Sequence, residues 1–297
     1  MRRDARLPVQ HGCHVSRITF HEFAMTEHSI EFFPPKNAAG EARLRQTIAE
    51  LLPLKPAFAS VTFGAGGSTR ERTFDTVRLI QDEYPLEAVP HLSCIASTRE
   101  GVREILERYR AQGIRRIVAL RGDLPEGMDT PGEFRFANEL VGFIKDFGGF
   151  EIHVAAYPEA HPQAPDPLAD LDNFVRKAEA GADVAITQYF YNNNAYYQFV
   201  DDLRRRGLDI PVVVGVMPIV NYGQIARFSA LCGAEIPRFI RERMEAYGDD
   251  LESQRAFGIE VVTRQCEDLL RQGVPGLHFY TLNQAEPTAS IWRNLGI

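Results

Sequence analysis

Eight short, apolar, β-rich runs alternate with helical patterns from Ser29 onward, and this alternation restricts the fold more than any other feature of the chain. The runs are 29–33 (SIEFF), 58–64 (FASVTFG), 88–95 (AVPHLSCI), 115–121 (RRIVALR), 151–157 (EIHVAAY), 184–190 (VAITQYF), 212–219 (VVVGVMPI) and 276–282 (GLHFYTL). Between them apolar residues recur at i, i+3 and i+4, as at Leu44, Ile48, Leu51 and Leu52 or at Val102, Ile105, Leu106 and Tyr109. That is the period of a helix with one buried face. Gly113, Gly181, Gly207 and Gly273 stand where such helices should stop. Strands separated by helices pair in parallel, and eight βα units in about 270 residues match a closed (β/α)8 TIM barrel of the α/β class. The expected organisation is a polar, unpatterned lead-in at 1–28, then one barrel domain at 29–297. An extra helix and loop at 235–250 precede the last long helix, 252–272. Met25 offers a second start just before the first strand, so residues 1–24 are expected to be dispensable.

Composition excludes partners more than it names them. The 33 Lys+Arg against 40 Asp+Glu leave a net charge of -7, the reverse of the basic surplus by which a nucleic-acid binder is recognised. Cys13, Cys94, Cys232 and Cys266 are scattered, and no His cluster has metal-ligand spacing, so neither a disulfide framework nor a metal site is indicated. A reducing cytoplasm is the expected location. No apolar run is long enough for a membrane span or a signal-peptide core.

In such a barrel, function is expected at the C-terminal ends of the strands and in the loops after them. The first strand runs Ser29-Ile30-Glu31-Phe32-Phe33-Pro34-Pro35, and period-2 alternation sets Glu31 against Ile30 and Phe32. If those two face the helices, Glu31 points into the barrel mouth. There, desolvation beside Phe33 and a planar ligand would raise its pKa and suit it to proton donation; the alternative is a structural ion pair. After the second strand comes Thr62-Phe63-Gly64-Ala65-Gly66-Gly67-Ser68-Thr69-Arg70. It is not the G-x-G-x-x-G of a dinucleotide fold, and serves equally as a ligand cradle or as a turn with Ser68 as helix cap.

The fourth strand ends Leu120-Arg121-Gly122-Asp123, placing a cation, a flexible glycine and a carboxylate at one rim position, for an anionic cofactor or for a rim salt bridge. The fifth leads into Tyr157 and His161, and the helix beyond presents Asp170, Asn173 and Lys177 at i, i+3 and i+7. Taken alone, that stripe is an ordinary solvated face, with Lys177 exposed. Gln188 shares its facing with Ile186 and Phe190; a buried amide there needs partners, either core groups or a bidentate ring such as a pterin. Phe228 shares helical spacing with Ile225 and Cys232, which makes it core before it is a ligand-stacking ring.

Six ordered segments carry a resemblance that the pattern alone does not supply: Glu31-Phe32-Phe33-Pro34-Pro35, Pro90-His91-Leu92, Ala119-Leu120-Arg121-Gly122-Asp123, Ala156-Tyr157-Pro158-Glu159, Ile186-Thr187-Gln188 and His278-Phe279-Tyr280-Thr281-Leu282-Asn283. From Ser29 to the C-terminus the chain resembles the methylenetetrahydrofolate reductase family. The resemblance implies an FAD enzyme of one-carbon metabolism that reduces 5,10-methylenetetrahydrofolate by a ping-pong mechanism, with NADH or NADPH as electron donor. Glu31 would be the general acid that helps open the methylene bridge, and Asp123 would sit near both flavin and folate. FAD would be held by Thr62, Phe63, Ala65, His91, Leu120, Arg121, Gly122, Asp123, Phe136, Ala137, Ala155, Tyr157, His161 and Ala164. Asp170, Asn173, Arg176 and Lys177 would reach its ribose and phosphates. Gln188, Gln224, Phe228, Tyr280 and Gln284, with Asp123, would line the folate and nicotinamide site. Two residues depart from the family pattern. Gln284 stands where Arg is common, which bears on the folate glutamate tail, and Phe136 stands where Tyr is frequent, which removes a hydroxyl. A homo-oligomer is expected. The competing readings are an amine-oxidising FAD barrel of the proline dehydrogenase type and a non-catalytic folate-binding barrel.

Overall fold

The computed structural model describes residues 26–63, 67–123, 130 and 132–297, the side chains of 67–69 excepted. Its strands are β1 (Ser29–Phe32), β2 (Phe58–Val61), β3 (Glu87–Ser93), β4 (Arg116–Leu120), β5 (Glu151–Ala156), β6 (Val184–Thr187), β7 (Val212–Val216) and β8 (Leu277–Tyr280). They pair in sequence order, all parallel, and β8 closes on β1. Each expected run therefore corresponds to one strand, with β3 starting one residue before its run. The helices are α1 (Ala38–Leu51), α2 (Gly67–Glu83), α3 (Arg99–Ala111), α4 (Ala137–Phe147), α5 (Pro167–Glu179), α6 (Asn193–Arg205), α7 (Tyr222–Cys232), α8 (Arg238–Tyr247), α9 (Leu251–Arg271) and α10 (Glu286–Leu295). α8 is the expected extra helix and α9 the long one.

Two apolar layers explain why these strands form. Outward-facing Ile30, Phe32, Ala59 and Val61 pack with helix residues such as Leu44 and Ile48 in a continuous barrel–helix core. Full burial of side chains like these stabilises the fold by roughly 1.5–3 kcal/mol each. Inside the barrel a separate, smaller cluster of Phe58, Val89, Val118 and Ile186 fills the lumen. Register then fixes the neighbours that matter: Glu31 lies between Ser60 and Tyr280, and Ser29 lies beside His278. At the opposite end, Arg116 is bonded to Glu27 at 2.9 Å and lies within ion-pair range of Glu151 and Glu87. Glu27 and His28, expected in the lead-in, are thus joined to the barrel; His28 also accepts from the Leu277 amide at 3.3 Å and meets Trp292 edge-on.

Local signals set the helix starts near the site. Asp166 caps α5 by accepting from the Ala169 amide, with Pro167 at its first position. Asn221 caps α7 in the same way, accepting from the Gln224 amide. Gly122, just beyond β4, has φ +80, and a Cβ there would meet Ser93 Oγ at 1.9 Å. The glycine expected to be flexible is instead required by close packing.

Candidate active site at the C-terminal mouth

Inward-facing positions at the strand ends enclose a cavity of about 410 Å³, within the range of sites that take a ligand ring system. Glu31 of β1 lines it, as alternation predicts, beside Phe33, which is exposed to the mouth. The segment is pinned on its far side. Thr281 Oγ1 donates to the Glu31 carbonyl at 2.6 Å, and the Asn283 amide both donates to and accepts from the Phe33 backbone at 2.9 Å.

The carboxylate of Glu31 is buried, and its nearest polar contacts fall on Oε2. Ser60 Oγ donates to it at 3.3 Å, His91 Nε2 lies 3.2 Å away, and His278 Nε2 lies 3.6 Å away. Burial pushes the carboxyl pKa up, as expected from the sequence, but the neighbouring His278 and His91 side chains outweigh burial and hold it at about 2. The expectation of a raised pKa is therefore corrected for the open site, where Glu31 is an ion.

The opposite wall comes from β4 and β5. Leu120, Ala155, Tyr157, His161 and Asp123 line the cavity. Asp123 stands at the rim with its side chain 92% exposed, 3.9 Å from Arg121, whose guanidinium donates to the lining residue Gln163 at 2.5 Å. Tyr157 and His161 meet edge-on at 4.6 Å. Burial, with the charges of Asp170 and Asp123, pushes the Tyr157 phenol up to about 12, so it stays a neutral donor. Burial lowers His161 below its ordinary value.

The α5 stripe divides. Asp170 accepts from the His161 amide at 3.0 Å, and Lys177 Nζ donates to the Ala155 carbonyl at 2.5 Å. Lys177 is partly buried, contrary to the exposed lysine expected, and burial lowers its pKa to about 8. Asn173 and Arg176 are exposed and bonded to each other. Helical spacing shows which residues share a face, not which end of that face leans over the barrel.

Further round the rim, Gln188 and Phe228 line the cavity. Gln188 is half-buried, less enclosed than expected; its Oε1 accepts from the Tyr189 amide at 3.0 Å, leaving its NH2 without a partner among the described residues. Phe190, expected to share its facing, packs instead in the barrel–helix core. Tyr280 crosses the lumen to donate to the Thr187 carbonyl at 2.6 Å. Gly215 makes room for it, since a Cβ there would meet the Thr187 carbonyl at 2.0 Å.

Other expected residues stand off the lining. Gln224 is on the first turn of α7, its Oε1 facing Asn221 Nδ2 at 3.5 Å. Gln284 and Phe136 are exposed, Ala137 begins α4, and Ala164 closes a turn on the His161 carbonyl. Thr62 and Phe63 follow β2, with Arg70 5.8 Å over the Phe63 ring. Ala65 lies outside the described residues, as does the side chain of Ser68. Sequence reasoning gave no role to His278, Ser29, Ser60 or Gln163. For His278 a signal existed, since it alternates with Leu277 and Phe279 and so shares the inward face of Tyr280.

A closed parallel barrel whose strand ends bring a carboxylate, an amide and several aromatic rings around one cavity has its candidate site where (β/α)8 enzymes carry theirs. The sequence pattern of the family described as methylenetetrahydrofolate reductase matches residues 19–296, and the chain belongs to that family. Among its relatives, the 5,10-methylenetetrahydrofolate reductase of Salmonella typhimurium is 41% identical over 269 residues, covering 91% of this chain and 90% of that protein. The Escherichia coli protein of the same name is equally similar, at 41% over 269 residues with the same coverage. Methylenetetrahydrofolate reductase (NADH) 1 of Arabidopsis thaliana is 38% identical over 291 residues, covering 93% of this chain and 49% of that one. Among solved structures, a protein from Clostridium thermocellum that binds two copies of 5-methyl-5,6,7,8-tetrahydrofolic acid shares the fold, with TM-score 0.63 and 15% identity over 91% of this chain and 95% of that one. Among the described residues no helix is long and apolar enough to cross a membrane.

Proposed function

We propose that this chain reduces 5,10-methylenetetrahydrofolate to 5-methyltetrahydrofolate, with NADH or NADPH as electron donor and FAD as bound cofactor. The observation that carries the reading is the convergence of Glu31, Asp123 and Gln188 on one cavity that Tyr157 and His161 also line, in a chain of this family. The folate substrate and, for the plant protein, NADH are those in the names of the relatives.

The residues present fit FAD. Lys177 is a desolvated ammonium that spends one N–H on Ala155 and keeps two without a protein acceptor among the described residues, a donor set suited to a phosphate. Arg121 adds a second cation at the rim, and Ala155 leaves the wall low enough for a flat ring. Hydride transfer between nicotinamide and the folate methylene carbon, in two separate half-reactions, is the chemistry FAD supplies when bound.

The chain's own groups do the rest. Glu31 delivers a proton to the folate nitrogen that leaves the methylene carbon, opening the bridge to an electrophilic iminium. Because the open site holds Glu31 as an ion, that proton is taken up with substrate in place, when a ligand over the mouth removes water and favours the neutral acid. Asp123 holds a negative charge at the rim opposite the developing cation. Gln188 offers its free NH2 to the pterin edge, and Phe33 and Phe228 cover the ring faces from water.

Anaerobic stopped-flow spectroscopy of the purified protein tests the reading. The flavin absorbance should bleach with NADH or NADPH and return with methylenetetrahydrofolate, yielding methyltetrahydrofolate. A colourless protein that does not reconstitute with FAD, or a reduced flavin that methylenetetrahydrofolate leaves reduced, would overturn it.

A further inference from the structure

Four side chains from three strands form one buried polar chain beneath the mouth. Ser29 Oγ lies 2.7 Å from His278 Nδ1, His278 Nε2 lies 3.2 Å from Ser60 Oγ, and Ser60 Oγ lies 3.3 Å from Glu31 Oε2. Counting protons fixes its direction. An ionised Glu31 only accepts, so the single proton of Ser60 goes to Oε2 and Ser60 accepts from His278 Nε2–H. Burial lowers the His278 pKa, so the ring is neutral near pH 7; its Nδ1 is then an acceptor, and Ser29 donates to it. Every donor in the chain points toward Glu31 Oε2.

The chain is closed at its lower end. Phe58 stacks on the His278 ring at 5.8 Å and meets His153 edge-on at 5.6 Å, within the apolar plug of Val89, Val118 and Ile186. Among the described residues no hydrogen bond continues the chain from His278 toward the far face of the barrel, an arrangement suited to holding Glu31 in place.

We propose that His278 is a positioning residue for the reductase reaction: through Ser29 and Ser60 it commits Glu31 Oε2 to the protein and so leaves Oε1 as the oxygen that exchanges a proton with substrate. The inference rests on the role given to Glu31 above. Other groups facing Glu31 are His91 from β3, which approaches the same oxygen at 3.2 Å, and Tyr280 from β8, whose hydroxyl is already given to Thr187; Asp123 is across the cavity. His153 is the further titratable group near His278. None of these makes the bond that Ser60 makes, so removing His278 releases Oε2 on that side.

The test compares His278→Leu with His278→Gln. Both lose the ring that stacks on Phe58, but the Gln amide retains a donor for Ser60 Oγ, so their difference isolates hydrogen bonding from packing. In the full chain as purified, without folate, the Glu31 carboxyl is followed by 13C NMR after labelling glutamate, its signal assigned with Glu31→Gln. Native protein and His278→Gln should show an ionised carboxylate throughout pH 5–8, whereas in His278→Leu the signal should titrate toward or within that window. In stopped-flow, the folate half-reaction of His278→Leu should fall about tenfold, less than the roughly 10²- to 10⁴-fold that outright loss of acid catalysis produces, because Glu31 itself is retained. Its pH profile should move to higher pH, flavin reduction by the nicotinamide coenzyme should stay within about twofold, and His278→Gln should recover most of the loss. Identical Glu31 titration in all three proteins, or a Gln variant as impaired as the Leu variant, overturns the proposal. Should native protein not consume methylenetetrahydrofolate while the NMR results come out as expected, the functional reading fails and the positioning of Glu31 stands.

Discussion

Lys177→Met separates cofactor binding from folding, because the structure makes opposite demands on this ammonium. Burial lowers its pKa from 10.5 to about 8, which at about 1.4 kcal/mol per tenfold means that the fold disfavours the charge by roughly 3 kcal/mol. One charged hydrogen bond to the Ala155 carbonyl offsets part of this, at about 1.5–3 kcal/mol. Methionine keeps about the length of the stem but loses the hydrogen bond to Ala155 and the ammonium's position 5.3 Å over the Phe174 ring, while the cost of the buried charge is relieved, so unfolding free energy at pH 7 should stay within about 1 kcal/mol of native, with either sign allowed. The cofactor should feel a larger effect. Losing a charge-assisted bond to phosphate, about 1.5–3 kcal/mol, weakens FAD binding roughly tenfold to 150-fold.

The pH dependence has a definite sign. A bound phosphate raises the Lys177 pKa above its value of about 8 in the free protein, so binding takes up a proton above that pH. Native affinity for FAD should be flat below pH 8 and fall above it, by at most about tenfold per pH unit, while the variant should lack this slope. For the fold alone, a lysine whose pKa is depressed carries its cost fully below pH 8, and the cost is relieved as pH rises toward 10.5. FAD fluorescence on release, measured from pH 6 to 9.5 beside calorimetric unfolding, checks both parts. Equal affinities with equal pH slopes would refute the phosphate contact; a large loss of stability would refute the reckoning of burial.

Two other substitutions probe the scaffold and the rim. Gly215→Ala would place a Cβ 2.0 Å from the Thr187 carbonyl and 2.7 Å from the Tyr280 hydroxyl that bonds it; overpacking of this kind costs about 1–3 kcal/mol or more, and should appear as a Tm lower by several degrees together with weaker folate use. Unchanged Tm would mean that β7 shifts freely. Asp123→Asn, at a side chain 92% exposed, should leave stability within about 0.5 kcal/mol yet slow the folate half-reaction at least tenfold, and equal rates would remove Asp123 from the chemistry.

The barrel was legible because each of its parallel strands, covered by helices outside and a plug within, reads as a short apolar run. The same alternation that buried Ile30 and Phe32 located Glu31 at the mouth. What it did not carry was electrostatics between distant positions: the ion at Glu31 depends on His278, which sits 249 positions from its partner Ser29 and meets it only because β8 closes on β1. Lys177 was misread for a related reason. Its helix period is amphipathic in the ordinary way, and only the tertiary placement of α5 against Ala155 buries the amine. The split of its stripe from Asn173 and Arg176 follows from the same placement.

The proposed folate reduction turns on Glu31 as proton donor, and Glu31→Gln tests that role most directly. Glutamine preserves shape and the bond from Ser60 but has no transferable acid proton. Reduction of the flavin by NADH or NADPH needs no such proton and should remain within a few-fold of native in stopped-flow. Reoxidation by methylenetetrahydrofolate should slow by roughly 10²- to 10⁴-fold. Equal losses in both half-reactions, or no loss in either, would contradict the assignment.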